Sequence, residues 1–296
     1  MVGSAIVRRL EAGGHKHVLG LHRDEADLTD ATAVERWFND HRPEFVFLAA
    51  ARVGGVLAND LYSGEFIRDN LLIQTHVIDA AHRHGAKKML FLGSSCIYPK
   101  HAEQPMNENC LLTGALESTN KAYAVAKIAG ITMMQSYTKQ YGFNGISLMP
   151  TNLYGPGDNF DLETSHVLPA MIRKFHEAKL SRAPSVTLWG TGTPKREFLH
   201  VDDLADASVF LMQNYDSPEI INVGTGKDLS IADLAALIGE TVGYEGEIVY
   251  DTTKPDGTPR KWLDTTKLTG LGWQPKTELR EGIASTLAWY RDNVES

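Results

Sequence analysis

A chain of 296 residues is long enough for one large α/β domain, or for two lobes that share a core. Its 43% apolar and 22% charged content suits a globular protein in water, and no apolar run is long enough to span a bilayer. A net charge of −8 argues against general binding to nucleic acid or acidic membranes, and two cysteines cannot build a disulfide framework. The opening MVGSAIVRRL acquires charge too early for a secretory signal, so the expected location is the reducing cytoplasm.

The first residues, Met1 to Ile6, already read as the start of a helix. Dinucleotide folds open instead with a strand and a glycine turn whose amides hold a pyrophosphate. Neither precedes this helix. The expectation is therefore a truncated chain whose sheet lacks its first strand and leaves a neighbour's edge open. HVLGL at 17–21 reads as a strand ending in His22-Arg23-Asp24, and 31–41 as a helix. Further strands are expected at 45–50, 89–93 and 145–149, and helices at 65–84 and 120–141. Strands separated by helical crossovers imply a doubly wound parallel sheet, a Rossmann-like α/β fold. Beyond residue 157 the texture changes. Helices at 164–180 and 230–243, strands at 186–190 and 247–251, and the polar loop 254–261 suggest a smaller α/β lobe. The expected division is a dinucleotide-binding domain at 1–157, with returning segments at about 196–223, and a substrate lobe at 158–296.

Tyr123 and Lys127 are four apart in a predicted helix, so they share one face. An ammonium there is expected to favour the phenolate and lower the tyrosine pKa. By itself, such a pair is most often a solvated helix face. Gly93-Ser94-Ser95-Cys96 follows the strand MLFL, at the end where open α/β sheets bind ligands. A hydroxyl at that strand end, followed some thirty residues later by Tyr-x-x-x-Lys, is much more specific. The combination resembles the extended short-chain dehydrogenase/reductases. That resemblance implies Ser94, Tyr123 and Lys127 as the catalytic trio, with Lys127 also touching the nicotinamide ribose.

LAAARVGG (48–55), GSSCIYPK (93–100), PTNLYGPGDNF (150–160), SHVLP (165–169), GTPKREFLHVDD (192–203), INVGTG (221–226) and KPDGTPRKWLD (254–264) narrow the likeness. They resemble the GDP-L-fucose synthase family over essentially the whole chain. The activity implied is NADPH-dependent 3,5-epimerisation and 4-reduction of a GDP-linked 4-keto-6-deoxy sugar, GDP-4-keto-6-deoxy-D-mannose. Inverting C3 and C5 needs a base and an acid on opposite ring faces, and the resemblance implies Cys96 and His166. Taken alone, Cys96 reads as a small buried hydrophobe and His166 as a helix-start residue. Arg23 at the end of the 17–21 strand favours NADP(H) over NAD(H), although an exposed turn arginine reads the same. The remaining cofactor-binding candidates are Gly3, Asp27, Leu48, Ala49, Ala50 and Leu153, together with Tyr123 and Lys127. The substrate-binding candidates are Asn152, His166, Lys174, Trp189, Arg196 and Lys261, with the last two supplying charge for the diphosphate. Trp189 would pack the guanine region, although a tryptophan in a short strand is more often core. No metal is expected, Cys110 reads as structural, and the resemblance implies a homodimer. A related sugar-nucleotide reductase or 4-epimerase, and a non-catalytic sugar-nucleotide binding protein, remain as alternatives.

Overall fold

In a computed structural model, which describes residues 1–254 and 256–294, the expected alternation of strands and helices is present. Pro255 of the 254–261 loop and the last two residues of the 158–296 lobe lie outside the described residues. Helix α1 (Val2–Ala12) buries Ala5 and Ile6, and α2 (Ala31–His41) starts at Asp30, whose carboxylate accepts from Thr32 N and Ala33 N. Next come β1 (Phe45–Leu48), α3 (Val56–Leu61), α4 (Ser63–Arg83), β2 (Lys88–Leu92), α5 (Lys121–Tyr141) and β3 (Gly145–Pro150). The chain continues through β4 (Asn152–Tyr154), α6 (Val167–Leu180), β5 (Ser185–Trp189), β6 (Lys195–His200), α7 (Val201–Asn214) and β7 (Ile221–Val223). It ends with β8 (Asp228–Ser230), α8 (Ile231–Val242), β9 (Glu247–Asp251), β10 (Arg260–Lys261), α9 (Thr266–Gly270) and α10 (Leu279–Asn293).

The central sheet runs β1-β2-β3-β7 and every pairing in it is parallel, with Leu48 opposite Phe91 and Leu148 opposite Ile221. Strands β2 and β3 are buried throughout, so both read as continuous apolar runs without alternation. Lys88 is the charged exception. Its buried ammonium donates to Met212 O and Tyr215 O at 2.7 Å and to Asp216 at 2.8 Å, which fastens the end of α7 to the sheet. One face of the sheet is covered around Phe38, Val77, Ile78 and Ile131, and the other around Ile6, Leu204 and Leu211. The strand expected at 17–21 does not form. A strand exists through its ladder, and among the described residues nothing pairs with the outer edge of β1. Leu19 and Phe45, 56% and 52% exposed, are correspondingly uncovered.

In the smaller lobe β4, β6 and β10 are parallel, β8 runs antiparallel on β6, and β5 pairs with β9. Helices α6, α8 and α10 enclose a third apolar cluster around Phe175, Leu234, Ile238 and Leu287. The segment β6–α7–β7 returns the chain to the central sheet, where β7 pairs with β3. This return matters for the site. It sets β4 and β6, which carry Asn152 and Arg196, directly beside the ends of the central strands.

Candidate active site

The site begins where β2 runs out. Ser94 is extended, and its Oγ accepts from Cys96 N at 3.2 Å, which starts a short 3₁₀ turn at Ser95–Ile97. The same hydroxyl faces the Tyr123 phenol on α5, close enough to favour its ionised form. One turn further along α5, Lys127 is buried and its Nζ donates to Leu92 O, the last residue of β2, at 2.7 Å. That nitrogen lies 4.8 Å from the Phe91 ring centre and 5.8 Å from that of Tyr123. Burial brings the Lys127 pKa down to about 7.

The expected lowering of the Tyr123 pKa is not found. Burial drives it well above the ordinary phenol value and the Cys96 sulfur adds to the rise, while the Ser94 hydroxyl opposes them. Loss of hydration outweighs any help from the ammonium. A phenol of this kind keeps its proton until a stronger base forms beside it. That suits a proton donor to a nascent alkoxide.

Cys96 is half-buried. Lys261 Nζ donates to its sulfur at 3.7 Å. Lys261 stands opposite Arg196 in the β10–β6 ladder, so two neighbouring strands deliver two cations to one place. Burial lowers the Arg196 pKa, while Cys96 and Asp256 oppose that change. His166 occupies the residue before α6 without capping it through its side chain. Its surface is open to solvent, yet protein surrounds it on most sides, as in a cleft. That surrounding protein lowers its pKa, and the charge of Lys261 lowers it further. Lys261 thus contacts the thiol, and its charge is felt at the imidazole.

Two glycines set the His166 loop. Gly55 N donates to Thr164 O at 2.8 Å, and a Cβ on Gly55 would lie 2.5 Å from Ser165 O. The segment after β1 therefore approaches the residues before His166 as only glycine allows. Asn59 Nδ2 ties this turn together through Gly54 O at 2.7 Å and Gly55 O at 3.0 Å.

The other expected residues are more dispersed. Asn152 half-faces the site and donates from Nδ2 to Glu197 O at 2.8 Å, with Leu153 beside it in β4. Leu48 is buried at the end of β1, and Ala49 and Ala50 become progressively more open just beyond it. Lys174 on α6 is half-buried, which lowers its pKa. Trp189 is 62% exposed, so it is not core. Lys254 Nζ stands 5.5 Å from its ring centre. Gly3 is exposed in the first turn of α1. Arg23 and Asp27 are exposed on the loop between α1 and α2. Thr29 N–H and hydroxyl hold the Asp27 carboxyl below its usual range, with a smaller contribution from Arg23. Among the described residues no group of three or more His, Cys, Asp or Glu side chains is placed to hold a metal ion.

Sequence reasoning missed three residues that build the site. Tyr98 OH donates to Asn222 Oδ1 at 2.6 Å, while Asn222 Nδ2 donates to Met106 O at 2.9 Å and Asp264 O at 3.0 Å. This buried knot anchors the loop carrying Cys96 to β7. Glu197, the third, is fully buried in β6. The available signal was weak, a carboxylate directly before the apolar pair Phe198-Leu199 in a strand that otherwise carries Lys195, Arg196 and His200.

Hydroxyl, phenol and lysine gather at the carboxyl ends of a doubly wound parallel sheet, the arrangement of the short-chain dehydrogenase/reductase class, with a thiol beside them. Residues 1–224 match the NAD dependent epimerase/dehydratase family. The chain is 56% identical over 294 residues to GDP-L-fucose synthase 1 of Arabidopsis thaliana, covering 99% of this chain and 91% of that one. A crystal structure of a GDP-6-OMe-4-keto-L-xylo-heptose reductase from C. jejuni superposes with a TM-score of 0.94 at 38% identity, covering 98% and 94% of the two chains. A GDP-L-fucose synthetase from Naegleria fowleri bound to NADP superposes with a TM-score of 0.93 at 29% identity, covering 100% and 92%. The chain belongs to the NAD dependent epimerase/dehydratase family, in its GDP-L-fucose synthase branch.

Proposed function

We propose that this protein converts GDP-4-keto-6-deoxy-D-mannose to GDP-L-fucose, inverting C3 and C5 and then reducing C4 with NADPH. The observation that carries the reading is the junction of two sets of groups. Ser94 and Tyr123 face each other, Cys96 sits beside them, and Lys261 contacts Cys96 while its charge is felt at His166. The high-identity relative named for this activity and the NADP-bound structural neighbour support it.

The residues present fit a nicotinamide dinucleotide. Lys127 carries three N–H donors, and among the described residues Leu92 O is the acceptor found for it, which leaves donors for ribose hydroxyls. Lys127, Tyr123, Leu153 and the strand-end residues Leu48 to Ala50 would hold the cofactor, with Gly3, Arg23 and Asp27 toward its phosphates and adenine. When bound, NADPH supplies the hydride for C4.

Cys96 and His166 exchange protons at C3 and C5, which the neighbouring ketone makes acidic. Ser94 and Tyr123 donate hydrogen bonds to the C4 oxygen as charge gathers there. Tyr123 then gives its proton to that oxygen during reduction. Arg196 and Lys261 meet the diphosphate, with Asn152, Lys174 and Trp189 along the rest of the ligand. A diphosphate that neutralises Lys261 removes the smaller of the two influences that lower the His166 pKa, the larger being burial.

The division into a 1–157 cofactor domain with 196–223, and a 158–296 substrate lobe, follows from this assignment. No helix of the described residues is long and apolar enough to cross a membrane, and we place the enzyme in the cytoplasm. We also expect a homodimer built on α4 and α5, where Val125 is exposed, measurable by analytical ultracentrifugation. The direct test supplies the keto sugar and NADPH in deuterated water. Deuterium at C3 and C5 with consumption of NADPH supports the reading, and Cys96→Ser should lose exchange more than reduction of an already epimerised ketone. Equal loss of both refutes the division of labour.

A further inference from the structure

Glu197 is fully buried, and each of its oxygens faces N–H donors. Oε1 accepts from Thr225 N at 2.6 Å and Gly226 N at 2.8 Å, and Oε2 accepts from Leu263 N at 2.9 Å. Its backbone oxygen accepts from the Thr151 hydroxyl at 3.2 Å and from Asn152 Nδ2 at 2.8 Å. The loop after β7 wraps closely around the carboxyl group, since a Cβ on Gly224 would collide with it. One residue therefore joins β4, β6, the 224–226 loop and the segment following β10.

Functional side chains sit next to these anchor points. Asn152 is bonded to Glu197 directly, and Arg196 precedes it in β6. Lys261 stands two residues before Leu263, with its ammonium 3.7 Å from the Cys96 sulfur. Only Arg260 and Lys261 join the β6 ladder, and just beyond them Trp262 is bonded on its other side to Met106 N and Gln104 Oε1. The anchor at Leu263 N extends the hold past the strand's end.

We propose that Glu197 is a positioning residue for the epimerisation half of the reaction, holding Lys261 against Cys96 without touching the sugar. This rests on the function proposed above. Glu197→Gln preserves shape but turns one acceptor oxygen into an NH₂ group. The oxygen is retained by the Thr225 and Gly226 amides, so the NH₂ faces Leu263 N–H and the Lys261 segment loses its side-chain tie to β6, while its bonds to Met106 and Gln104 remain.

The test measures three quantities on wild type, Glu197→Gln and Glu197→Asp: deuterium exchange at C3 and C5, hydride transfer to a pre-epimerised ketone, and NADPH affinity by fluorescence. Glu197→Asp keeps the charge but is too short to span both amide clusters, and it serves if the glutamine variant does not fold. Exchange should fall about tenfold or more, as displacement of a reacting group by a fraction of an ångström does, with NADPH affinity unchanged within about twofold. In a Lys261→Met background, Glu197→Gln should add little, because both changes remove the same contact. Equal losses in all three quantities, full additivity with Lys261→Met, or undiminished exchange would each overturn the proposal. Wild-type protein without exchange would instead remove the proposed function itself.

Discussion

The Lys127 ammonium turns the electrostatics of the site into a measurable stability difference. Its pKa drops from the ordinary 10.5 to about 7, and the cause is burial without a paired carboxylate. At about 1.4 kcal/mol per pH unit, that fall corresponds to on the order of 5 kcal/mol between the two protonation states. The sign follows from proton binding. Between about pH 7 and 10.5 the unfolded chain holds a proton at this lysine that the folded chain has released, so raising the pH stabilises the fold. The contribution is fully present above 10.5 and is lost as pH falls through about 7. Lys127→Met removes the titration and leaves an apolar chain of similar length in the same place. Urea unfolding of both proteins without ligand, across about pH 6 to 9.5, should show the variant's advantage greatest at the acidic end. That advantage should shrink by up to about 1.4 kcal/mol per pH unit above pH 7. Saturating NADPH should flatten the wild-type dependence, because ribose hydroxyls give the remaining N–H groups acceptors. A difference between the two proteins that stays constant across the range would show that Lys127 is hydrated and titrates normally, and the burial argument would fail.

Tyr123→Phe should cost about 10² to 10⁴ in hydride transfer while leaving deuterium exchange at C3 and C5 measurable. An equal loss of both would show that its hydrogen bond to the C4 oxygen during epimerisation matters as much as its proton transfer, against the expectation that Ser94 sustains exchange alone. Gly55→Ala puts a methyl 2.5 Å from Ser165 O, so the His166 loop must move. The expected cost is about 1–3 kcal/mol with a disproportionate fall in exchange, read by thermal unfolding and isotope incorporation. A variant with wild-type Tm and exchange would show that the turn yields easily. Asn222→Ala strips partners from Tyr98 OH, Met106 O and Asp264 O and should destabilise by about 2–4 kcal/mol in urea unfolding. A change below about 0.5 kcal/mol, the scale of an ordinary surface substitution, would mean that water replaces the amide there.

The parts of this molecule legible in the sequence are those governed by local periodicity. The helix predicted at 31–41 matches α2, and the strand at 247–251 matches β9, because apolar spacing and a capping aspartate act within a few residues. Tyr123 and Lys127 were readable for the same reason: their relation is a helical turn. The segment 17–21 failed because a strand requires a partner edge, which composition does not reveal. Its apolar HVLGL run satisfies the local pattern and still finds no ladder.

The pairing of Cys96 with Lys261 spans 165 residues and depends on where β10 meets β6, so no spacing rule could reach it. The sign of the Tyr123 shift was misread for a related reason. Proximity to an ammonium is visible as a four-residue interval, but loss of hydration depends on everything packed around the phenol, and here it prevails. The same asymmetry explains why Glu197 escaped notice inside KREFLH. A carboxylate is read as a surface residue unless its donors are known, and those donors come from residues 225, 226 and 263, far along the chain. The proposed reacting groups Ser94, Cys96 and Tyr123 gather near one strand end, whereas the residues packed around them come from the returning segments. A substitution in 197, 222 or 263 therefore tests the chemistry as sharply as one in the catalytic trio.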